Sequence, residues 1–91
     1  MNLIDHFRAD IEGLKGDEFK LRIRLWHNAA RRYCNLLGIT ADPAPDFIHL
    51  EEEGVTVKPV DAAGGRFFLK ASLAELCELY RVTAPRRYRR A

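Results

Sequence analysis

The fold class of this chain depends on the stretch from Phe19 to Leu37, which has the sequence FKLRIRLWHNAARRYCNLL. Its first seven residues alternate apolar and basic side chains, which is typical of a half-buried strand. At about 100° per residue, however, a single apolar stripe continues from this part into the strongly helical second half. The stripe consists of Phe19, Ile23, Trp26, Ala30, Tyr33, Cys34 and Leu37. The stretch therefore predicts one long helix ended by Gly38, and a strand over its first part is the alternative.

A shorter helix is predicted upstream. Asn2 is a suitable N-cap, and Asp5 stands at the spacing of a capping box. Gly13 and Gly16 lie around the end of this helix, and Gly16 is well placed as its C-terminal cap. Apolar residues at spacings of three and four then define its buried face: Leu3, Ile4, Phe7, Ile11 and Leu14.

Three short strands are predicted downstream of a proline-containing connector at residues 40–46. They cover Phe47–Leu50, Val55–Val60 and Arg66–Ala71, and the turns between them are rich in Glu and Gly. Because Pro59 cannot donate a ladder hydrogen bond, we expect the second strand to lie at a sheet edge or to end there.

The capping box Ser72-Leu-Ala-Glu75 opens a last predicted helix, and Pro85 prevents that helix from continuing. Residues 1–83 are therefore predicted to form one compact α+β domain, with two N-terminal helices, a short antiparallel three-stranded meander and a C-terminal helix. A flexible Arg-rich tail is predicted over residues 84–91. The length of 91 residues suits a single domain.

Several classes of protein are disfavoured by the sequence. No apolar run approaches the ~20 residues that a membrane span needs, and the N-terminus lacks the pattern of a signal peptide. We therefore expect no membrane association, no secretion and a cytoplasmic location. With 47% apolar and 31% charged residues, the composition is that of a globular protein.

Few residues offer catalytic chemistry. Ser72 is the only serine, and its capping role accounts for it. His27 and Cys34 are about 10 Å apart along a helix, which is too far for a thiol–imidazole hydrogen bond. Cys34 and Cys77 both fall on apolar helix faces, where buried, reduced thiols are expected. We expect no enzymatic activity.

Metal and cofactor sites are not expected either. His6, His27 and His49 show none of the usual ligand spacings. The run Glu51-Glu52-Glu53 is interpreted as a solvated turn, because successive strand residues point to opposite faces. Gly64-Gly65 joins two predicted strands, whereas a phosphate loop leads from a strand into a helix.

The net charge of +2 conceals an uneven distribution. Residues 1–45 contain seven basic and six acidic side chains, and residues 46–80 contain three and seven. Residues 81–91 contain five basic side chains and no acidic one. Two basic parts are thus separated by an acidic one, and such asymmetry indicates charged partners.

The first basic part is the predicted long helix, in which Lys20, Arg24, His27 and Arg31 recur at spacings of four, three and four. They form a ridge of about 16 Å opposite the apolar stripe, long enough to meet several phosphates or an acidic protein patch. Residues 19–37 contain no acid that would neutralise it. An ordinary solvated helix face is the alternative interpretation.

The second basic part is the tail, where a tyrosine capable of stacking stands among four guanidinium groups. These residues are Arg86, Arg87, Tyr88, Arg89 and Arg90. A tail that merely improves solubility is the alternative.

These features favour a small non-enzymatic protein-binding module that docks its basic helix face onto an acidic surface of a nucleic-acid-handling protein complex. By analogy, its size is typical of accessory or inhibitory proteins of phages and mobile elements, including those directed against host defence. The alternative is direct binding to DNA or RNA through the same helix and tail. A domain with a purely structural role is the third possibility.

Overall fold

Three helices and a three-stranded sheet make up the part of the chain that the structure, a computed structural model, describes: residues 1–40, 48–59 and 65–84. The elements are α1 (Leu3–Ile11), α2 (Gly16–Leu36), β1 (Ile48–Leu50), β2 (Gly54–Val57), β3 (Phe67–Lys70) and α3 (Leu73–Thr83). The predicted α+β class, with its helix-helix-meander-helix order, is confirmed. Most of the predicted connector and the Arg-rich tail from residue 85 onward lie outside the described residues.

The long helix α2 excludes the alternative of a strand near its start. It ends in a Schellman motif, in which the amide of Gly38 donates to Asn35 O at 3.0 Å and the amide of Ile39 donates to Cys34 O at 2.9 Å. The φ of Gly38 is +78°, a left-handed conformation that glycine adopts without steric cost. The predicted end of the helix at Gly38 is confirmed.

The first helix ends earlier than predicted. Its C-cap is Glu12, and Gly13 turns the chain with a φ of +80°. The amide of Leu14 then donates to Ile11 O at 3.1 Å and closes the turn. The prediction that Gly16 caps α1 is wrong, because the left-handed residue is already supplied at Gly13 and Gly16 is the first residue of α2.

Both predicted N-caps are confirmed. The side chain of Asn2 accepts a 2.9 Å hydrogen bond from the amide of Asp5. At the start of α3, Ser72 Oγ accepts from the amide of Glu75 at 3.0 Å, and Glu75 Oε1 accepts from the amide of Ser72 at 3.4 Å. These bonds satisfy amides that the helices themselves leave without partners.

The sheet is antiparallel throughout, in the order β1-β2-β3. One face is buried and the other is open, as the alternation of side chains requires. Of the two alternatives that Pro59 predicts, the edge position is excluded because β2 is the central strand, and the end of the strand near Pro59 is confirmed. β2 ends at Val57, three residues before the predicted Val60. The buried face carries Ile48, Leu50, Val55 and Val57.

Gly54 permits the closest approach between two strands. A Cβ atom at this position would overlap the carbonyl oxygen of Leu69 and the ring of Phe68 on β3. Only glycine therefore allows β2 to begin at this distance from β3.

The helices α1 and α2 pack on the sheet through β1, and α3 packs on both of them. Trp26 lies where the three helices meet, with 2% of its surface exposed. Its ring is 5.6 Å from His6 of α1 and 4.6 Å from Tyr80 of α3, measured between centroids. Four residues earlier on α2, Arg22 bonds Asp10, which lies four residues after His6. α2 therefore runs antiparallel to α1, and its N-terminal half lies beside the C-terminal half of α1.

The buried arc of α2 differs from the predicted stripe. Phe19 and Leu37 are 37% and 50% exposed, whereas Leu25 and Ala29, which lie outside the stripe, are buried. α2 contacts α1, α3 and β1 at once, so its middle is covered over a wider arc than a single stripe provides. The two ends of the stripe extend beyond these neighbours.

The two cysteines differ in burial. Cys34 is fully buried, as predicted, whereas Cys77 is only partly buried. Both are free thiols. The prediction of a buried thiol is therefore too strong for Cys77, whose helix α3 packs on α2 along one side and borders a cavity on another.

Candidate functional site

The exposed surface of α2 carries the clearest candidate site. Lys20 and Arg24 of the predicted ridge are exposed, but His27 and Arg31 are only partly so. Five exposed positions of α2 follow a spacing of four along the helix. They are Lys20, Arg24, Asn28, Arg32 and Leu36, which together are called the α2 ridge below.

His27 contributes little positive charge to this surface. Burial lowers the pKa of its imidazole below the ordinary value, and the nearby charges of Arg31 and His49 lower it further. Its buried Nδ1 has no hydrogen-bond partner among the described residues. At neutral pH the ring is therefore neutral, and the positive charge of this face resides on lysine and arginine.

The three cations of the α2 ridge are available to a partner. Lys20, Arg24 and Arg32 form no ion pair or hydrogen bond through their side chains within the described part of the chain. Arg22, in contrast, is turned inward and forms a 3.1 Å ion pair with Asp10. The helix thus separates one structural arginine from the cations that face solvent.

The acidic turn between β1 and β2 lies away from the first half of the ridge. The carbonyl of Glu52 accepts a 3.1 Å hydrogen bond from the amide of Leu3, and that of Glu53 accepts one of 3.1 Å from the amide of Ala71. The turn therefore sits against the starts of α1 and α3. The N-terminal half of α2 lies beside the opposite end of α1, so the described acids of the turn do not neutralise it.

The α2 ridge is about 24 Å long, at 1.5 Å per residue over sixteen residues. Rows of side chains spaced by four are the rows that pack into grooves between the side chains of another helix. The row ends on Leu36, an apolar side chain that is 62% exposed. Sequence periodicity did not identify Arg32 and Leu36 as part of this row. The burial of Leu25 and Ala29 shifts the solvent-facing side of the helix toward Arg32 and Leu36, and the sequence alone does not show that burial.

A second feature is a cavity of about 200 Å³ beside the helices. Here Cys77 Sγ lies 3.7 Å from His6 Nε2. The two residues are 71 positions apart in the sequence, so no local spacing predicts this pair. The cavity is lined by His6, Asp10, Trp26, Cys77, Tyr80 and Arg81.

The described residues contain no group of three His, Cys, Asp or Glu side chains that could hold a metal ion. None of the described helices is both long enough and apolar enough to span a membrane. The residues Arg86, Arg87, Tyr88, Arg89 and Arg90 lie outside the described part of the chain. No known protein family, curated protein or solved structure matches the chain.

Proposed function

We propose that this chain is a small, non-enzymatic binding module that docks the α2 ridge onto an acidic surface of a partner protein, such as a component of a nucleic-acid-handling complex. The observation that carries the proposal is the exposure of Lys20, Arg24 and Arg32 in one row without partners in the described chain. Cations held on a rigid helix offer fixed geometry to carboxylates. Arginine in particular can bind a carboxylate through two parallel hydrogen bonds.

Two observations favour a protein partner over a nucleic acid. Asp17 and Glu18 are exposed on the first turn of α2, where they would repel a phosphate backbone that followed the ridge. At the other end of the ridge, the exposed Leu36 can make an apolar contact with a protein surface, whereas a phosphate backbone offers no apolar group for it to contact. Direct binding to DNA or RNA is the alternative outcome of the test.

The experiment compares two variants of equal charge change. In R24E/R32E both arginines of the ridge are reversed, and in R8E/K15E two exposed cations outside it are reversed. Each variant is used to capture proteins from a nuclease-treated extract, and circular dichroism verifies the fold. We expect the control to retain the partners of the parent chain and R24E/R32E to lose them. Equal loss in both variants would show that net charge alone matters and would contradict the proposal.

Nucleic acid is tested directly with a labelled 20-base-pair duplex. The proposal predicts no binding beyond a weak, sequence-independent level. Tight binding whose affinity falls with a log-log salt slope near −0.9 per neutralised phosphate, and which R24E/R32E abolishes, would establish the alternative instead.

A further inference from the structure

The cavity that contains Cys77 and His6 is independent of the α2 ridge. Its residues come from all three helices: His6 and Asp10 from α1, Trp26 from α2, and Cys77, Tyr80 and Arg81 from α3. The rings of His6, Trp26 and Tyr80 contribute to its lining, and those of Trp26 and Tyr80 pack against each other with centroids 4.6 Å apart at an angle of 34°. The volume of about 200 Å³ exceeds the 150 Å³ or so that accommodates benzene in an engineered protein cavity.

The thiol and the imidazole are close enough for proton transfer. The distance from Cys77 Sγ to His6 Nε2 is 3.7 Å, within the range of a hydrogen bond that involves sulfur. The ring of His6 packs edge-on against Trp26, at 5.6 Å and 75°, which fixes its orientation. This is the arrangement of a nucleophile and a base in reach of each other.

Asp10 also lines this cavity, and two hydrogen bonds hold its carboxylate in place. Its two carboxylate oxygens accept hydrogen bonds from Trp26 Nε1 at 2.8 Å and from Arg22 at 3.1 Å. Burial raises the pKa of the Cys77 thiol, and the negative charge of Asp10 raises it further. The thiol is therefore protonated at neutral pH, so its reaction requires a group that removes the proton.

We infer that this cavity is a covalent capture site for small planar α,β-unsaturated carbonyl compounds, with Cys77 as the nucleophile and His6 as its base. The three aromatic rings of the lining favour contact with a conjugated, planar molecule, and the volume limits that molecule to about the size of a single ring. Cys34, which is fully buried in the core, serves as an unreactive internal reference.

The reaction is balanced without an oxidant or a reductant. Sγ forms a bond to the β-carbon of the compound while the carbon–carbon π bond breaks, and its electron pair moves into an enolate. The thiol proton passes to His6 Nε2, which accepts it when the neutral ring carries its own proton on Nδ1. The same proton is then returned to the α-carbon, which leaves a stable thioether and neutral imidazole.

The test uses N-methylmaleimide as the probe and intact-protein mass spectrometry as the readout. We expect Cys77 to be labelled well before Cys34, with a rate that saturates as the probe concentration rises. His6→Gln should slow the labelling of Cys77 at pH 7 by about a hundredfold, which is the lower end of the usual contribution of a general base. The matched control His49→Gln, at an exposed position of β1, should leave the rate unchanged.

Two further measurements separate base catalysis from structural damage. Above the pKa of the thiol no base is needed, so the rates of His6→Gln and the parent chain should converge at high pH. Asp10, Tyr80 and Arg81 also face the cavity and are left unchanged in this comparison. N-methylsuccinimide, the saturated analogue, should slow the labelling of the parent chain by competition.

The inference is overturned if labelling is linear in probe concentration, if it proceeds at the rate of free N-acetylcysteine, or if Cys77 reacts only after denaturation. It is equally overturned if His6→Gln, shown by circular dichroism to be folded, reacts as fast as the parent. If that variant does not fold, saturation and competition by N-methylsuccinimide in the parent chain decide the matter.

Discussion

The indole Nε1 of Trp26 donates a 2.8 Å hydrogen bond to Asp10 Oδ2, so the largest fully buried side chain of the protein also anchors a carboxylate. Asp10 accepts a second bond from Arg22, one turn earlier on α2. The hydrogen bonds to Asp10 and the ring contact between Trp26 and His6 thus join α1 to α2 at the same place. The packing of the first two helices depends on this pair.

Trp26→Phe should separate the two contributions of this residue. Phenylalanine retains most of the apolar volume but leaves one oxygen of Asp10 without its donor, which should lower the free energy of unfolding by about 1–3 kcal/mol. Trp26→Ala should lower it by about 3–5 kcal/mol. Urea unfolding followed by fluorescence or circular dichroism measures both, and the emission of the parent chain should be blue-shifted when folded. A red-shifted native emission would contradict the burial of Trp26.

Gly54→Ala should destabilise the sheet, because the added Cβ would overlap the carbonyl oxygen of Leu69. Forced movement of the backbone costs about 1–3 kcal/mol. Gly65→Ala is the informative control: its Cβ would meet open space, but its φ of +88° carries a strain of about 1 kcal/mol. If thermal unfolding finds Gly54→Ala no more harmful than Gly65→Ala, close strand approach does not limit this position.

Ser72→Ala should lower the free energy of unfolding by about 1 kcal/mol, the usual cost of removing an N-cap oxygen. Glu75→Ala should cost less, because the N-cap bond from the Glu75 amide to Ser72 Oγ remains, and the bonds lost, from the Ser72 amide at 3.4 Å and the Ser72 hydroxyl at 3.0 Å, are to an exposed carboxylate. Glu78→Ala on the same helix serves as a control, since its ion pair with Arg81 is exposed and contributes little. The decrease in the denaturant midpoint should be largest for Ser72→Ala, smaller for Glu75→Ala and smallest for Glu78→Ala.

His27 should make the fold sensitive to mild acid. Its pKa is lowered in the folded chain by burial, then by Arg31 and His49, so the unfolded chain binds a proton first as the pH falls. The stability that this histidine confers is complete above its unfolded pKa of about 6.5 and is lost as the pH falls below that value. His27→Gln should therefore flatten the dependence of melting temperature on pH between about 7.5 and 5.5. An unchanged profile would mean that His27 is protonated as easily in the folded chain.

The α2 ridge and the Arg-rich tail should contribute differently to binding. R24E/R32E removes cations held in fixed geometry and should abolish binding without changing the melting temperature, because neither side chain is buried. Deletion of residues 85–91 should weaken binding less and reduce its salt dependence, because it removes four arginines that we expect to act mainly through their charge. Calorimetric titration with the captured partner at several salt concentrations distinguishes the two effects.

Local signals in the sequence were sufficient to predict most of the secondary structure. The N-caps at Asn2 and Ser72 and the glycine end of α2 involve residues within a few positions of one another, so their patterns are visible in the sequence. Gly16 was misjudged because two glycines compete at the end of α1, and the choice between them depends on where the next helix must begin.

The candidate site was less predictable because it depends on tertiary contacts. The exposed row contains Arg32 and not the predicted His27 and Arg31, because Leu25 and Ala29 are buried. The positions of the neighbouring elements determine that burial. The contact between Cys77 of α3 and His6 of α1 joins residues that are far apart in the sequence, and no periodicity or spacing predicts it.

The hydrogen bonds of the turn at Glu52 and Glu53 affect which parts of the structure unfold together. Two successive carbonyl groups hold the amide of Leu3, near the beginning of the chain, and that of Ala71, just before α3. The first turn of α1 is therefore tied to the hairpin turn, because its opening would also break the hydrogen bond between the Leu3 amide and the Glu52 carbonyl. Amide protons at both positions should be protected from exchange with solvent together, so that the N-terminal helix, the hairpin turn and the start of the last helix behave as one cooperative unit.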